Sequence, residues 1–217
     1  MPFNGGTVRR SAGGIGVILW IVAGSALVGS TPETGRADDP PAAGVPEDAF
    51  ERASAAFNAG RYEEALSLFL PLAKAGDGRA QGVVALLYQT GNGVAEDDSE
   101  AAAWYRRAAE QGYPGAQFRL AEMYESGEGV AKDPVQAAEW YRRAAELGHA
   151  EAQVALALMY KVGSGVAKDP LQVAQWTRRA AEQGVELAQY MMGLMYELGE
   201  AVPRDAALAA AWHHRAA

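Results

Sequence analysis

The stretch from residue 116 to residue 148 reads AQFRLAEMYESGEGVAKDPVQAAEWYRRAAELG, and it decides the fold. Apolar residues recur every three or four positions over 116–124 and again over 135–147, a spacing that predicts two amphipathic helices. Gly127-Glu128-Gly129-Val130 separates the two segments, because glycine readily takes the left-handed conformation that ends a helix. Gly148 ends the second segment. The stretch is therefore predicted to be a helix–turn–helix hairpin.

The same pattern recurs along the chain in steps of 36 residues. Positions that are 36 residues apart form a column, and four columns each keep one residue type: an Ala-Gln pair, a tyrosine, a tryptophan and a glycine. Their members are Ala80-Gln81, Ala116-Gln117, Ala152-Gln153 and Ala188-Gln189; Tyr88, Tyr124, Tyr160 and Tyr196; Trp104, Trp140, Trp176 and Trp212; and Gly76, Gly112, Gly148 and Gly184. One hairpin cannot bury its apolar face alone, so consecutive hairpins must stack. The sequence predicts an all-α fold, an α-solenoid of helix-turn-helix repeats.

An aspartate stands where each second helix is predicted to begin. In the quoted stretch, Asp133 precedes Pro134, and this pair suits a helix start because aspartate caps free N–H groups while proline needs no donor at the first helical position. The same column holds Asp97, Asp169 and Asp205. Helix capping is therefore a better interpretation of these carboxylates than catalysis.

Residues 80–217 resemble the Sel1-like repeat family, which is related to tetratricopeptide repeats. The resemblance implies that the α-solenoid is right-handed. The second unit shows the family pattern as Ala116, Leu120-Ala121, Tyr124, Gly127-Glu128-Gly129-Val130, Asp133, Ala137, Trp140-Tyr141, Ala144-Ala145 and Gly148. The last unit departs most, since Ala201 replaces the second loop glycine and His213 stands in the Tyr141 column. The conformation of that loop is left open.

The period and the resemblance together divide the chain. Residues 47–79 are similar to a tetratricopeptide-type helix pair and are predicted to cap the array at its N-terminal end. The Sel1-like repeats are predicted at 80–115, 116–151, 152–187 and 188–217, the last of them incomplete.

The N-terminal residues form a separate unit. Arg9 and Arg10 precede an apolar run at about 13–29, which is typical of a secretory signal peptide or a signal anchor. We assign this role to residues 1–37, followed by a linker at 38–46 that is rich in proline and alanine. The sequence predicts a periplasmic or otherwise exported protein, with cleavage favoured. The alternative is a chain anchored to the inner membrane by an uncleaved segment.

Composition argues against several functions. The 217 residues include no cysteine, so thiolate chemistry and cysteine metal sites are excluded. A formal charge of −8 does not suit a nucleic-acid binder. The sequence contains no metalloprotease motif, phosphate-binding loop or nucleophile elbow. We therefore predict no enzyme, no cofactor and no metal site.

The remaining polar clusters have structural interpretations. His149 is predicted in an inter-repeat turn, and His213 and His214 point about 100° apart on a helix, so they are interpreted as surface or capping residues. The arginine pairs, of which Arg142-Arg143 is an example, are predicted to be neutralised by glutamates three or four positions away, here Glu146.

The resemblance implies a concave face lined by the first helix of each hairpin. Large residues at varying columns, Phe118 and Tyr190 above all, are candidate anchors for a partner, with the filling of gaps between repeats as the alternative. The predicted partner-binding residues are Phe57, Asn58, Leu86, Gln89, Phe118, Glu122, Glu125, Val154, Leu158, Lys161, Tyr190, Leu194 and Glu197.

These features predict an exported helical-repeat scaffold that binds a protein or peptide through its concave face. A membrane-tethered regulator or structural component of an envelope assembly is the first alternative. A cell-wall-directed enzyme is the second, since the resemblance extends to exported proteins linked with cell-wall chemistry. The identity of the partner and the oligomeric state do not follow from the sequence.

Overall fold

The computed structural model describes residues 48–217, which form ten α-helices and no strand. In chain order these are α1 (Ala49–Asn58), α2 (Tyr62–Lys74), α3 (Gly78–Thr90), α4 (Asp98–Glu110), α5 (Pro114–Ser126), α6 (Pro134–Glu146), α7 (Ala150–Val162), α8 (Pro170–Glu182), α9 (Glu186–Leu198) and α10 (Ala206–Arg215). The predictions for residues 1–37 and 38–46 lie outside the described residues. Over 48–217, no helix combines the length and the apolar character needed to cross a bilayer.

Each helix packs mainly against the helix before it and the helix after it in the chain. The helices form successive hairpins: α1–α2, then α3–α4, α5–α6, α7–α8 and α9–α10, and we number these last four hairpins repeats one to four. Contacts limited to chain neighbours are the mark of a stacked array. The predicted all-α solenoid is confirmed.

The start of each second helix in repeats one to four is fixed by the predicted aspartate. The Asp133 carboxylate accepts hydrogen bonds from the backbone N–H groups of Val135 and Gln136, at 3.0 and 3.1 Å. The same two bonds recur at Asp97, Asp169 and Asp205. Each cap is expected to contribute about 1 kcal/mol to stability. The capping prediction is confirmed.

The tryptophan column lies in the core, as expected. Trp104, Trp140, Trp176 and Trp212 are all buried, and the paired alanines beside them, such as Ala144 and Ala145, are fully or almost fully buried. The small alanine side chains let neighbouring helices approach closely, and the indole rings fill the space that remains.

The arginine pairs are held differently from the prediction. The first arginine of each pair donates to the tyrosine hydroxyl of the next repeat, as in the 3.1 Å bond from Arg142 to Tyr160. The second lies over the tryptophan ring of its own helix, with the Arg143 guanidinium 4.5 Å from the centre of the Trp140 ring. In repeat two, Arg142 and Arg143 also form ion pairs with Glu139, three and four positions earlier, at 3.0 and 3.1 Å. Neutralisation by a glutamate at this spacing is confirmed there, but Glu146 was the wrong partner, and within residues 48–217 no ion pair joins the other arginine pairs to Glu110 or Glu182. The physical reason is that Glu139 precedes both arginines by three and four positions on α6, a spacing at which helix side chains are neighbours.

A column of buried glutamines forms a ladder of hydrogen bonds that joins each repeat to the hairpin before it. The Gln117 side chain donates from Nε2 to the backbone carbonyl of Ala109 at 3.1 Å, and the other members of this column do the same. The Oε1 atoms of Gln81 and Gln153 also accept hydrogen bonds, from Gln111 at 2.7 Å and from Gln183 at 2.8 Å.

Repeat two interrupts this ladder. Leucine occupies position 147, which corresponds to Gln111 and Gln183, and the buried Oε1 of Gln117 has no hydrogen-bond partner among the described residues. A buried acceptor without a partner costs about 1–3 kcal/mol.

The second glycine of each Gly-x-Gly-Val loop makes the contact between repeats. Gly129 and Gly165 have φ values of 68° and 67°, a region that favours glycine. A methyl group on Gly129 would overlap the backbone of Asp98, and one on Gly165 would overlap the backbone of Pro134. Each of these loops therefore lies directly on the N-terminus of the second helix of the preceding repeat.

Candidate partner-binding site

All predicted partner-binding residues lie on the first helices α1, α3, α5, α7 and α9. Their exposure divides them into three groups. Phe57, Leu86 and Val154 are buried; Gln89, Phe118, Glu122 and Leu194 are half-buried; Asn58, Glu125, Leu158, Lys161, Tyr190 and Glu197 are exposed. The exposed group can meet a partner without any rearrangement of the helices. Partner contact by the whole set stays a prediction.

The character of this surface changes along the array. In repeat two it is acidic, since Glu122 and Glu125 lie on α5. The residues that correspond to Glu122 and Ser126 are Leu158 and Val162 in repeat three, and these are 40% and 61% exposed. The first-helix surface is therefore polar and acidic in repeat two, whereas in repeat three it is apolar at these two positions and carries Lys161 in place of Glu125.

The acidic part is held by a small polar network. Arg119 and Glu122 form an ion pair at 2.9 Å, and the Tyr141 hydroxyl donates to the Glu125 carboxylate at 2.8 Å. Burial raises the pKa of Glu122 above its ordinary value, against the opposing effect of Arg119. Burial, together with the bond to Glu125, also raises the pKa of Tyr141, so its hydroxyl stays protonated as a donor.

Phe118 has a structural contact as well as a partly accessible ring. It stacks on the ring of His149, with 4.7 Å between the ring centres, and it also packs beside Tyr141. Tyr190 lies at the same column two repeats later and is 50% exposed, with its ring 5.4 Å from that of His213. Of the two predicted anchors, Phe118 also fills a gap between repeats, whereas Tyr190 keeps half of its surface free.

His149 is a capping residue, but a buried one. Its Nδ1 accepts a 3.3 Å hydrogen bond from the backbone N–H of Ala152 at the start of α7. Burial, assisted by nearby Arg119, lowers the pKa of His149 to about 4, so the ring is neutral at pH 7 and Nδ1 is able to accept. The prediction of capping is confirmed for His149, while a surface position is wrong because the Phe118 ring covers it.

The other two histidines lie on the last helix. His213 is half-buried, 3.6 Å from the Glu197 carboxylate, and His214 is exposed. No group of three or more potential ligand side chains suited to a metal ion occurs in the described part of the chain.

A cavity of about 230 Å³ lies between repeats three and four. Sequence reasoning missed it. Its walls are mainly apolar, with Tyr160 and Val173 on one side and residues of α9 on the other, and two lysines also line it. The sequence signal for it was Ala201, which stands where the other repeats have the second loop glycine and which lies in the wall of this cavity.

The sequence matches the Sel1 repeat family model at residues 78–113, 114–149, 150–185 and 187–217. Together these ranges cover more than half of the chain. The search of curated proteins found no significant match to this sequence.

Three solved structures show what the chain is similar to. The Sel1 repeat protein from Oxalobacter formigenes is 35% identical, with a TM-score of 0.74 over 77% of this chain and 69% of that one. The protective antigen c5321 of uropathogenic Escherichia coli, which displays an SLR fold, is 32% identical, with a TM-score of 0.75. That match covers 77% of this chain but only 37% of the antigen's length. The immunity protein Pa5087 from Pseudomonas aeruginosa is 24% identical with a TM-score of 0.51, a similarity of fold alone.

Proteins built from Sel1 repeats are generally scaffolds for protein interactions and are typically not enzymes. The ten helices of residues 48–217, the glycines of the repeat loops and the four matched repeats all support the same family assignment. This chain belongs to the Sel1 repeat family.

Proposed function

We propose that this protein is an exported scaffold that binds a protein or peptide partner through the concave face formed by the first helices of its hairpins. The observation that carries the proposal is the variation of the first helices at fixed columns, where several of the varying residues are exposed, among them Leu158, Lys161 and Tyr190. The second helices repeat buried alanines and tryptophans on their packed side, although their exposed first turns also vary, as at Val135 and Leu171. A binding surface on a regular scaffold is expected to vary in this way.

The exposed apolar residues supply the affinity in this proposal. Leu158, Val162 and Leu198 are each at least 40% exposed, although apolar side chains of this size favour burial. A partner that covers them gains the free energy of burial without any change in the array. The acidic residues of repeat two, such as Glu125, then select against partners with a negative surface at that end.

The partner contact is tested by affinity capture from an envelope extract. Wild-type protein is compared with the Phe118→Ala/Tyr190→Ala variant and with Gln175→Ala, a control at an exposed position on a second helix. We expect the double variant to lose the captured partner and the control to retain it. Because Phe118 stacks on His149, melting curves must show that the double variant is folded; Tyr190→Ala alone provides a milder test. Capture that is equal in all variants contradicts the proposal.

Export is a separate part of the proposal and rests on the Arg9-Arg10 pair and the apolar run after it. Mass spectrometry of the N-terminus of protein purified from its native host tests it. A mature chain that begins after the apolar run supports an exported scaffold. A chain that retains residues 1–37 favours the membrane-tethered alternative.

A further inference from the structure

The cavity between repeats three and four has a cause in the sequence. In the loops of repeats one to three, a glycine at positive φ lies against the N-terminus of the preceding second helix, and a methyl group there would overlap backbone atoms. In repeat four this position is Ala201, which keeps a φ of 59° and carries that methyl group. Ala201 and Pro170, the residue that corresponds to Pro134, both line the cavity. The cavity therefore lies where the fourth loop faces the N-terminus of α8, at the repeat whose loop carries a methyl group in place of the glycine.

The walls of the cavity are suited to an apolar side chain. Met191, Leu194, Met195 and Leu198 form one side of it, along α9. Methionine side chains adapt to differently shaped guests because they are unbranched and polarisable. Leu198 is 63% exposed, so the apolar surface continues from the cavity to its mouth. Pockets for drug-sized ligands have volumes of about 300–1,000 Å³, so a cavity of about 230 Å³ is better matched to one large side chain.

The charge around the cavity differs from that of the whole chain. The protein carries a formal charge of −8 and has only four lysines, yet two of them, Lys161 and Lys168, line this cavity. Neither lysine has a carboxylate partner within 4 Å among residues 48–217. Glu200 also lies in the wall, so the local balance is one net positive charge. An acidic group beside the mouth would find complementary charge here.

We propose that this cavity binds an anchor side chain of a partner peptide, a leucine, methionine or phenylalanine adjacent to an aspartate or glutamate. The apolar side chain enters between α7 and α9, and the neighbouring carboxylate pairs with Lys161 and Lys168. A buried apolar anchor with a charged neighbour at the rim is a common arrangement for binding energy and orientation. This inference rests on the proposed function, because it identifies the kind of partner that the face accepts.

The probe is a phage-displayed library of random twelve-residue peptides, panned against the full chain. We expect the selected peptides to share an apolar residue beside an acidic one. Fluorescence polarisation with a labelled selected peptide then measures affinity. The Lys161→Glu/Lys168→Glu variant should bind about tenfold more weakly or worse, a loss of the size that a close charge pair supplies. The matched control is Lys132→Glu, at the position of repeat two that corresponds to Lys168, and it should bind as wild type does.

A second variant tests the cavity itself. Ala201→Gly should let the fourth loop close on α8, as the loops of repeats one to three do. It should weaken peptide binding and at the same time raise the melting temperature, because glycine relieves the strain of a positive φ. A variant that merely fails to fold would lose both peptide affinity and thermal stability. Weaker peptide binding together with a higher melting temperature therefore identifies closure of the fourth loop on α8.

The inference would be overturned by selected peptides without an acidic residue, by equal binding of the lysine double variant, or by the failure of the library to yield any peptide. Peptides that lose affinity with Tyr190→Ala but not with the lysine or Ala201 variants would place binding elsewhere on the face. That outcome would overturn the cavity assignment and leave the proposed function standing.

Discussion

Replacing Leu147 with glutamine should stabilise the protein. Leu147 occupies the C-cap of α6 with φ −81° and ψ 7°, and Gln111 and Gln183 occupy the same position with nearly the same backbone angles. A glutamine at 147 can therefore reach the buried Oε1 of Gln117, as Gln183 reaches Gln153 at 2.8 Å.

The expected gain follows from two opposing effects. Supplying a donor to a buried acceptor that lacks one recovers up to about 1–3 kcal/mol. Ordering the new side chain and giving up the partial burial of a leucine that is 40% exposed cost part of this gain. We expect a net increase in the free energy of unfolding of about 1 kcal/mol, which raises the melting temperature of a chain of this size by about 2–4 °C.

Thermal unfolding followed by circular dichroism measures this change. Gln183→Leu is the reciprocal control, since it removes the corresponding bond from repeat three and should lower the melting temperature by a similar amount. If Gln183→Leu destabilises the protein while Leu147→Gln has no effect, then the absence of a donor to Oε1 of Gln117 does not limit the stability of repeat two, and the reasoning fails.

Three further changes follow from the same structure. Trp140→Ala should lower the free energy of unfolding by about 3–5 kcal/mol through the cavity it leaves; a melting curve that matches wild type would contradict the stacking of repeats. Asp133→Ala should cost about 1 kcal/mol by removing the cap of α6, measured by urea denaturation, with Asp48→Ala as a control because Asp48 makes no side-chain cap bond. His149 has a pKa of about 4 when folded and about 6.5 when unfolded, so the unfolded chain binds its proton first as the pH falls. The free energy of unfolding should therefore be level above pH 6.5 and lose about 3 kcal/mol between pH 6.5 and pH 4, relative to His149→Gln; urea titrations in which both proteins share one pH profile would refute this.

Local features of the fold could be predicted from the sequence. The Asp97 column precedes each second helix directly, and a capping aspartate acts on N–H groups two and three residues away, so its role does not depend on distant parts of the chain. The Trp140 column recurs with the period, and a large apolar residue at every unit of a stacked array must face its neighbours.

Features that depend on the fit between repeats could not be predicted. His149 is buried because Phe118 of α5 covers its ring, and no local sequence pattern joins these two positions. The cavity lies where Ala201 replaces the loop glycine opposite the N-terminus of α8. The sequence marks Ala201 as an exception, but the width of the resulting space depends on how repeats three and four stack.

The central claim is that the first helices meet the partner, and site-specific photo-crosslinking in living cells tests it most directly. A photoreactive phenylalanine analogue is placed at Leu158 or Tyr190 on first helices, and at Gln175 on a second helix; all three positions are exposed. We expect the same higher-mass adduct from Leu158 and Tyr190 and none from Gln175. An adduct from Gln175 alone would contradict the account.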